Sequence, residues 1–187
     1  MSKLERLDYI SIDEYLDGEK SAVVRHEYID GAVYAMVGAS TAHNLLAGAL
    51  SAIFRNHLAD ADTSCHVFQS DMKVKVENGF YYPDIMIACN DIDLESYYLA
   101  SPKLIVEVPS KSTEAKDRLE KRVAYQKIPN LQEYVLISQL EFKLEIIRRT
   151  ESSWMQETYN KDEIVNFKSI GLNVELGKIY QELSPHW

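Results

Sequence analysis

The stretch PKLIVEVPSKSTEAKDRLEKR (residues 102–122) contains an apolar segment with a carboxylate in its middle. The segment LIVEV has the composition of a strand in the centre of a sheet, yet Glu107 interrupts it. An unpaired carboxylate in such a strand would cost on the order of several kcal/mol. Glu107 therefore needs either a cation or a raised pKa. After the strand, Ser112 or Thr113 is predicted to cap a helix that ends near Ile128.

A second carboxylate, Asp84, follows a proline at the start of the strand DIMIA. Because side chains alternate across a strand, Asp84 shares a face with Met86, and Glu107 shares one with Ile105. If the two strands are neighbours, the two acids converge, and Mg²⁺ or Mn²⁺ prefers such carboxylate oxygens. Two ordinary explanations stay open: Asp84 could be a turn acceptor, and Glu107 could pair with an arginine across the sheet.

The bulk composition is that of a globular protein, and the length of 187 residues predicts a single domain over residues 1–187. The net charge of −9 argues against a non-specific nucleic-acid coat, although a local basic groove remains compatible with it. Cys65 and Cys89 form no CxxC pair, so we expect two reduced, lone thiols. The sequence has no apolar signal-like region and no long apolar run, which predicts a cytoplasmic protein without a membrane span.

The rest of the chain predicts a mixed sheet with helices. We expect a short helix from Ser11 to Gly18, a hairpin turning at Asp30-Gly31, and a helix from Ser40 or Thr41 to about Leu58. HVFQSDMKVKV alternates like one half-buried strand that turns at Asn78-Gly79. Two further strands are predicted in QEYVLIS and FKLEIIRRT.

These motifs together resemble the Uma2 family, a member of the PD-(D/E)XK or restriction-endonuclease-like superfamily. The resemblance runs from about Ile12 to Tyr180 and is carried by RHEYIDGAVYAM, AHN, YYPDIMIA and the run from PKLIVEV to EYVLI. It implies an α/β fold with a central mixed β-sheet flanked by helices. It also implies that Asp84 and Glu107 bind the metal, Mg²⁺ or Mn²⁺, and that Glu27 is a further acid in or near the site.

The resemblance departs from the wider superfamily in the position of its lysine. A lysine usually lies two residues after the second acid, where this chain has Pro109. The Uma2 pattern carries its lysine on the next helix, at Lys121. Of the three nearby lysines, we expect Lys121 to supply the active-site cation and Lys111 to contact substrate phosphate, while Lys103 lies about 13 Å upstream of Glu107 along an extended chain.

The remaining site assignments each have an ordinary alternative. His43, near a helix start, could contact phosphate or could be an exposed histidine. Glu27 could face solvent from its hairpin, and Lys121 could form a surface ion pair with Asp117. At helical spacing, Leu119 and Val123 form an apolar stripe, which places Lys121 on the opposite side, facing solvent or a polar cleft.

Two classes of function follow from these assignments. The first is a metal-dependent nuclease that hydrolyses phosphodiesters, with DNA as substrate and a homodimer as the working form. The second is a catalytically inactive binding or assembly module that retains the nuclease-like fold, because fold alone does not establish activity.

Overall fold

The computed structural model describes residues 9–61, 63–90, 92–110 and 114–186. The strands are β1 (His26–Ile29), β2 (Ala32–Ala35), β3 (Cys65–Gln69), β4 (Lys73–Val76), β5 (Gly79–Tyr81), β6 (Ile85–Cys89), β7 (Tyr98–Leu99), β8 (Leu104–Glu107), β9 (Glu133–Ile137), β10 (Lys143–Arg149), β11 (Trp154–Asn160), β12 (Ile164–Phe167) and β13 (Leu172–Glu175). The helices are α1 (Ile12–Ser21), α2 (Thr41–Asp60), a π-helical turn (Lys116–Lys121) that continues into α3 (Arg122–Gln126), α4 (Leu176–Ile179) and a 3₁₀ turn (Ser184–His186).

A six-stranded mixed sheet forms the centre of the protein, in the order β11-β10-β9-β8-β6-β3. Among the described strand pairs of this sheet, only β8 and β9 run parallel, because the helical segment between them carries the chain back across the sheet. The predicted strand around Glu107 is β8, and it is central, with β6 and β9 as neighbours. Apolar side chains of α2 cover one face of the sheet, and Tyr125 of α3 packs in the core on the other face. The expected mixed sheet flanked by helices is confirmed.

A second sheet of five strands has the order β2-β1-β5-β4-β7. Its β1–β2 hairpin turns at Asp30 and Gly31, which both have positive φ angles, 47° and 93°. This is the conformation that a tight hairpin turn requires, so the turn prediction is confirmed. The chain leaves β5 through Tyr82 and Pro83 and enters β6 after Asp84. Asp84 therefore lies where the chain crosses from the second sheet to the central one.

Several predicted elements differ in extent from the structure. Helix α1 begins after the Ser11 cap, as expected, but it continues through Gly18 to Ser21, and its C-cap residue Ala22 is extended, with a φ of −65°. The single strand predicted from His66 is two strands, β3 and β4, which belong to different sheets. A turn with a positive φ of 82° at Asp71 separates them. The predicted capping residues Ser112 and Thr113 lie outside the described residues.

The expectation of two lone thiols is wrong. Cys65 and Cys89 are directly opposite each other on the paired strands β3 and β6, and they form a disulfide with a Cα–Cα distance of 3.9 Å. Because the two cysteines are paired, they no longer indicate a reducing compartment. A cytoplasmic location stays a prediction. Within the described part of the chain, no helix is both long enough and apolar enough to cross a membrane.

Candidate active site

Asp84 and Glu107 face each other across two neighbouring strands. Antiparallel pairing places Ile85 opposite Val106, so the next pair outward along the same register is Asp84 and Glu107. The backbone N–H of Val108 donates to Asp84 Oδ2 at 2.7 Å and ties the two strand ends together. Both carboxylates line one cleft with a volume of about 260 Å³. The convergence expected from the strand pattern is therefore present.

Glu107 is buried, and two side chains of the following helical segment donate to it. Lys121 Nζ lies 3.0 Å from Glu107 Oε1, and the hydroxyl of Tyr125 donates to the same oxygen at 2.8 Å. Burial raises the pKa of Tyr125 well above its usual value, and the charge of Glu107 raises it further. Tyr125 therefore stays a neutral phenol that donates a hydrogen bond and holds the carboxylate in place.

Glu27 lies between two lysines. Its Oε1 is 3.1 Å from Lys121 Nζ, and its Oε2 accepts a hydrogen bond from Lys116 Nζ at 2.6 Å. Burial by itself would raise the pKa of Glu27, but the charges of Lys121 and Lys116 outweigh it, so this pKa lies below its usual range. Glu27 is thus ionised, and Lys121 bridges it to Glu107.

The π-helical turn brings the two lysines together. Lys116 and Lys121 are five residues apart. In an α-helix with 3.6 residues per turn they would point about 140° away from each other. A π-helix hydrogen-bonds from residue i to i+5, so residues five apart lie on the same side. Tyr125 follows Lys121 by four residues, an α-helical interval that keeps it on that side as well.

The helical segment after β8 buries its polar side. Leu119 and Val123, the apolar stripe of this helix, are both exposed to solvent. Lys121 and Tyr125 are the buried side chains instead. The polar side of the helix faces inward because the carboxylates of Glu27 and Glu107 lie there and supply its hydrogen-bond partners. Lys121 therefore faces a polar cleft and not solvent.

His43 lies next to Asp84. The hydroxyl of Ser40 accepts a hydrogen bond from the backbone N–H of His43 and so caps α2 at this point. The cap fixes the first turn of α2 beside the cleft, where His43 Nε2 lies 3.1 Å from Asp84 Oδ1. The imidazole is mostly buried, so it is not a freely exposed histidine. It can orient the Asp84 carboxylate.

Five of the six residues predicted for the site lie together: Glu27, His43, Asp84, Glu107 and Lys121. The sixth, Lys111, lies outside the described residues. Sequence reasoning missed Lys116 as a site residue, because α-helical spacing separates it from Lys121. Tyr125 could have been found from its interval of four residues to Lys121.

The donors at the cleft fit a divalent metal ion. Among the residues the structure describes, no group of three or more His, Cys, Asp or Glu side chains is arranged to hold a metal. A set of two carboxylates is nevertheless compatible with Mg²⁺, which commonly binds through one or two carboxylates, water and substrate phosphate. Asp84 and Glu107 supply oxygen donors of this kind on an open cleft.

The protein is a central mixed β-sheet flanked by helices, with two carboxylates opposed at one cleft. A family model described as "Putative restriction endonuclease" matches residues 12–176, and the chain belongs to that family, Uma2. The resemblance inferred from the sequence motifs is therefore confirmed.

Two relatives from Synechocystis sp. (strain ATCC 27184 / PCC 6803 / Kazusa) are similar over most of their length. The protein slr1290 is 36% identical over 94% of this chain and 93% of its own. The protein sll1609 is 32% identical over 76% of this chain and 82% of its own. The fold is similar to the crystal structure of "a putative nuclease belonging to DUF820" from Anabaena variabilis ATCC 29413. That similarity has a TM-score of 0.72 and 16% identity, and it covers 92% of this chain and 98% of the other.

Proposed function

We propose that this protein is a metal-dependent nuclease that hydrolyses phosphodiester bonds, with DNA as its substrate. The observation that carries the proposal is the opposition of Asp84 and Glu107 at an open cleft, with Lys121 Nζ 3.0 Å from Glu107. Asp84 and Glu107 are the residues that would hold Mg²⁺ or Mn²⁺. When bound, such an ion supplies a water of lowered pKa and positive charge for the phosphate oxygens.

The side chains of the cleft are held in positions that would favour this reaction. Hydrolysis adds a water oxygen to phosphorus and breaks one P–O ester bond, and the leaving oxygen takes a proton. Negative charge grows on the phosphate oxygens during this step, and a fixed ammonium beside them stabilises it. Lys121 is held for this role between Glu27 and Glu107. Tyr125 and His43 fix the carboxylates of Glu107 and Asp84. Lys111 is proposed as a phosphate contact.

A cleavage assay on single- and double-stranded DNA with Mg²⁺ or Mn²⁺ tests the proposal. We expect the wild type to cleave and Asp84→Asn to lose cleavage, while Asp17→Asn, which changes an exposed acid on α1, keeps it. Metal binding is followed separately, because a ligand that binds only the native state raises its stability. Mn²⁺ should raise the melting temperature of the wild type more than that of Asp84→Asn.

The inactive binding or assembly module remains the alternative function. It is favoured by the ion pairs that already satisfy Glu27 and Glu107 with lysines. Equal Mn²⁺ shifts in wild type and Asp84→Asn, together with no cleavage of any DNA, would contradict the nuclease proposal and support this alternative.

A further inference from the structure

Tyr34 lies at the edge of the candidate active site with much of its ring in solvent. Tyr34 belongs to β2, an edge strand of the five-stranded sheet, and is 49% exposed. In the β1–β2 ladder Tyr34 is directly opposite Glu27, so the two side chains are on the same face of the hairpin. Met36, two residues further on and on that same face, lines the cleft of Asp84 and Glu107.

Lys116 connects this ring to the site. Its ammonium lies 5.2 Å from the centre of the Tyr34 ring and 2.6 Å from Glu27 Oε2. The lysine therefore approaches the ring, while the half-exposed ring still offers surface to a ligand. The Lys116 side chain is 28% exposed, so its ammonium, although paired with Glu27, is accessible to an anion at the edge of the cleft. An exposed aromatic ring beside such a cation offers stacking and phosphate attraction at one point.

We propose that Tyr34 and Lys116 form a nucleotide subsite beside the cleft, in which an unpaired base stacks on the Tyr34 ring and its phosphate is attracted by Lys116. The inference rests on the proposed nuclease function and specifies its substrate class. In an intact duplex the faces of each base are covered by their neighbours, so a base must leave the stack to meet a protein ring. The substrate class is therefore a single strand, or a duplex with an unpaired base near the scissile phosphate.

The subsite is tested with a short single-stranded oligonucleotide that contains the fluorescent base 2-aminopurine, whose emission falls when it stacks. The protein carries Asp84→Asn so that no cleavage intervenes, and binding is read by anisotropy at a fixed low salt concentration. We expect quenching on binding. Adding Tyr34→Ala should remove the quenching and weaken single-strand binding about 5- to 150-fold, the effect of losing one stacked base. Tyr34→Phe should retain both.

The matched control is Tyr97→Ala, which removes a tyrosine that is 60% exposed in a pocket beside α1. It should bind and quench like the Asp84→Asn parent. Intact duplex should bind equally with and without Tyr34. Lys116→Gln should lower the salt dependence of single-strand binding by about 0.7 in the log–log slope, the value for one phosphate contact on a single strand.

The outcomes separate this inference from the function it rests on. Unchanged quenching and affinity in Tyr34→Ala would overturn the subsite. If Tyr34→Ala instead changes the mass measured by light scattering, the ring lies in a protein interface and the subsite is also overturned. If single-strand binding depends on Tyr34 but the wild type cleaves no DNA, the subsite is supported and the proposed nuclease function is contradicted. Failure of the protein to bind any nucleic acid would contradict both.

Discussion

Replacing Lys121 by methionine removes a buried charge and keeps most of the side-chain stem. The ammonium lies 3.1 Å from Glu27 Oε1 and 3.0 Å from Glu107 Oε1, so one cation neutralises parts of two buried carboxylates. Lys121→Met leaves those two negative groups facing each other without the charge between them. Removing one partner of a buried ion pair costs about 3–5 kcal/mol, because the remaining charge stays desolvated. We expect a loss of that size in the free energy of unfolding at pH 7.

The cost should depend on pH in a defined direction. Lys121 helps to hold the pKa of Glu27 below its usual value, so Glu27 stabilises the folded state above its unfolded pKa of about 4.3. That contribution disappears as the pH falls through the lowered pKa of the folded state. Without Lys121 the pKa of Glu27 rises. The difference in stability between wild type and Lys121→Met should therefore shrink as the pH is lowered below about 4.3.

Urea unfolding followed by circular dichroism measures this difference under non-reducing conditions. The matched control is Lys127→Met, because Lys127 Nζ pairs with Glu77 Oε2 at 2.7 Å but the two side chains are 50% and 63% exposed. An exposed pair of this kind contributes about 0–1 kcal/mol. Equal, small losses in both variants would refute the reasoning, since they would mean that Lys121 does not neutralise buried carboxylates.

Three further predictions concern the scaffold. A hydrogen bond from Arg148 lowers the pKa of Glu157 to about 2, and solvent screens this partly exposed pair. Glu157→Gln should therefore lower the free energy of unfolding at pH 7 by about 1–2 kcal/mol, and the loss should fade between about pH 4.5 and 2; a pH-independent loss in urea titrations would contradict this. Reduction of the Cys65–Cys89 disulfide, which closes a loop of 24-residue separation, should lower stability by about 3–4 kcal/mol, and dithiothreitol should leave the stability of Cys65→Ser unchanged. Light scattering should give twice the 21.5 kDa chain mass if the protein is the predicted homodimer, and a mass of 21.5 kDa would end that prediction.

The opposition of Asp84 and Glu107 could be predicted from the sequence because it depends on short-range geometry. Strand alternation fixes the face on which each acid lies, and the structure places Met86 and Ile105 in one core cluster on that face, as the pattern requires. The only long-range assumption was that the two strands are neighbours. The hairpin at Asp30 was equally accessible, since its turn residues specify its backbone conformation.

The features that could not be predicted depend on contacts between distant parts of the chain. The alternation of residues 66–76 continues across the boundary between two sheets, and a period of two carries no information about which sheet a strand joins. Cys65 and Cys89 meet only because β3 pairs with β6 in one particular register. That register is a tertiary property, so the spacing of the cysteines gave no sign of the disulfide.

In the helical segment after β8, the apolar stripe lies on the side that faces solvent, and the polar side is buried. A hydrophobic stripe predicts the buried face only if apolar surface is what the helix meets. Here the helix meets Glu27 and Glu107, so burying Lys121 and Tyr125 satisfies two carboxylates, and the exposure of Leu119 and Val123 is the consequence. An uninterrupted α-helix could present only one of the two lysines to Glu27. The π-helical turn presents both lysines to Glu27, so this deviation from regular helix geometry determines which cations surround the carboxylate.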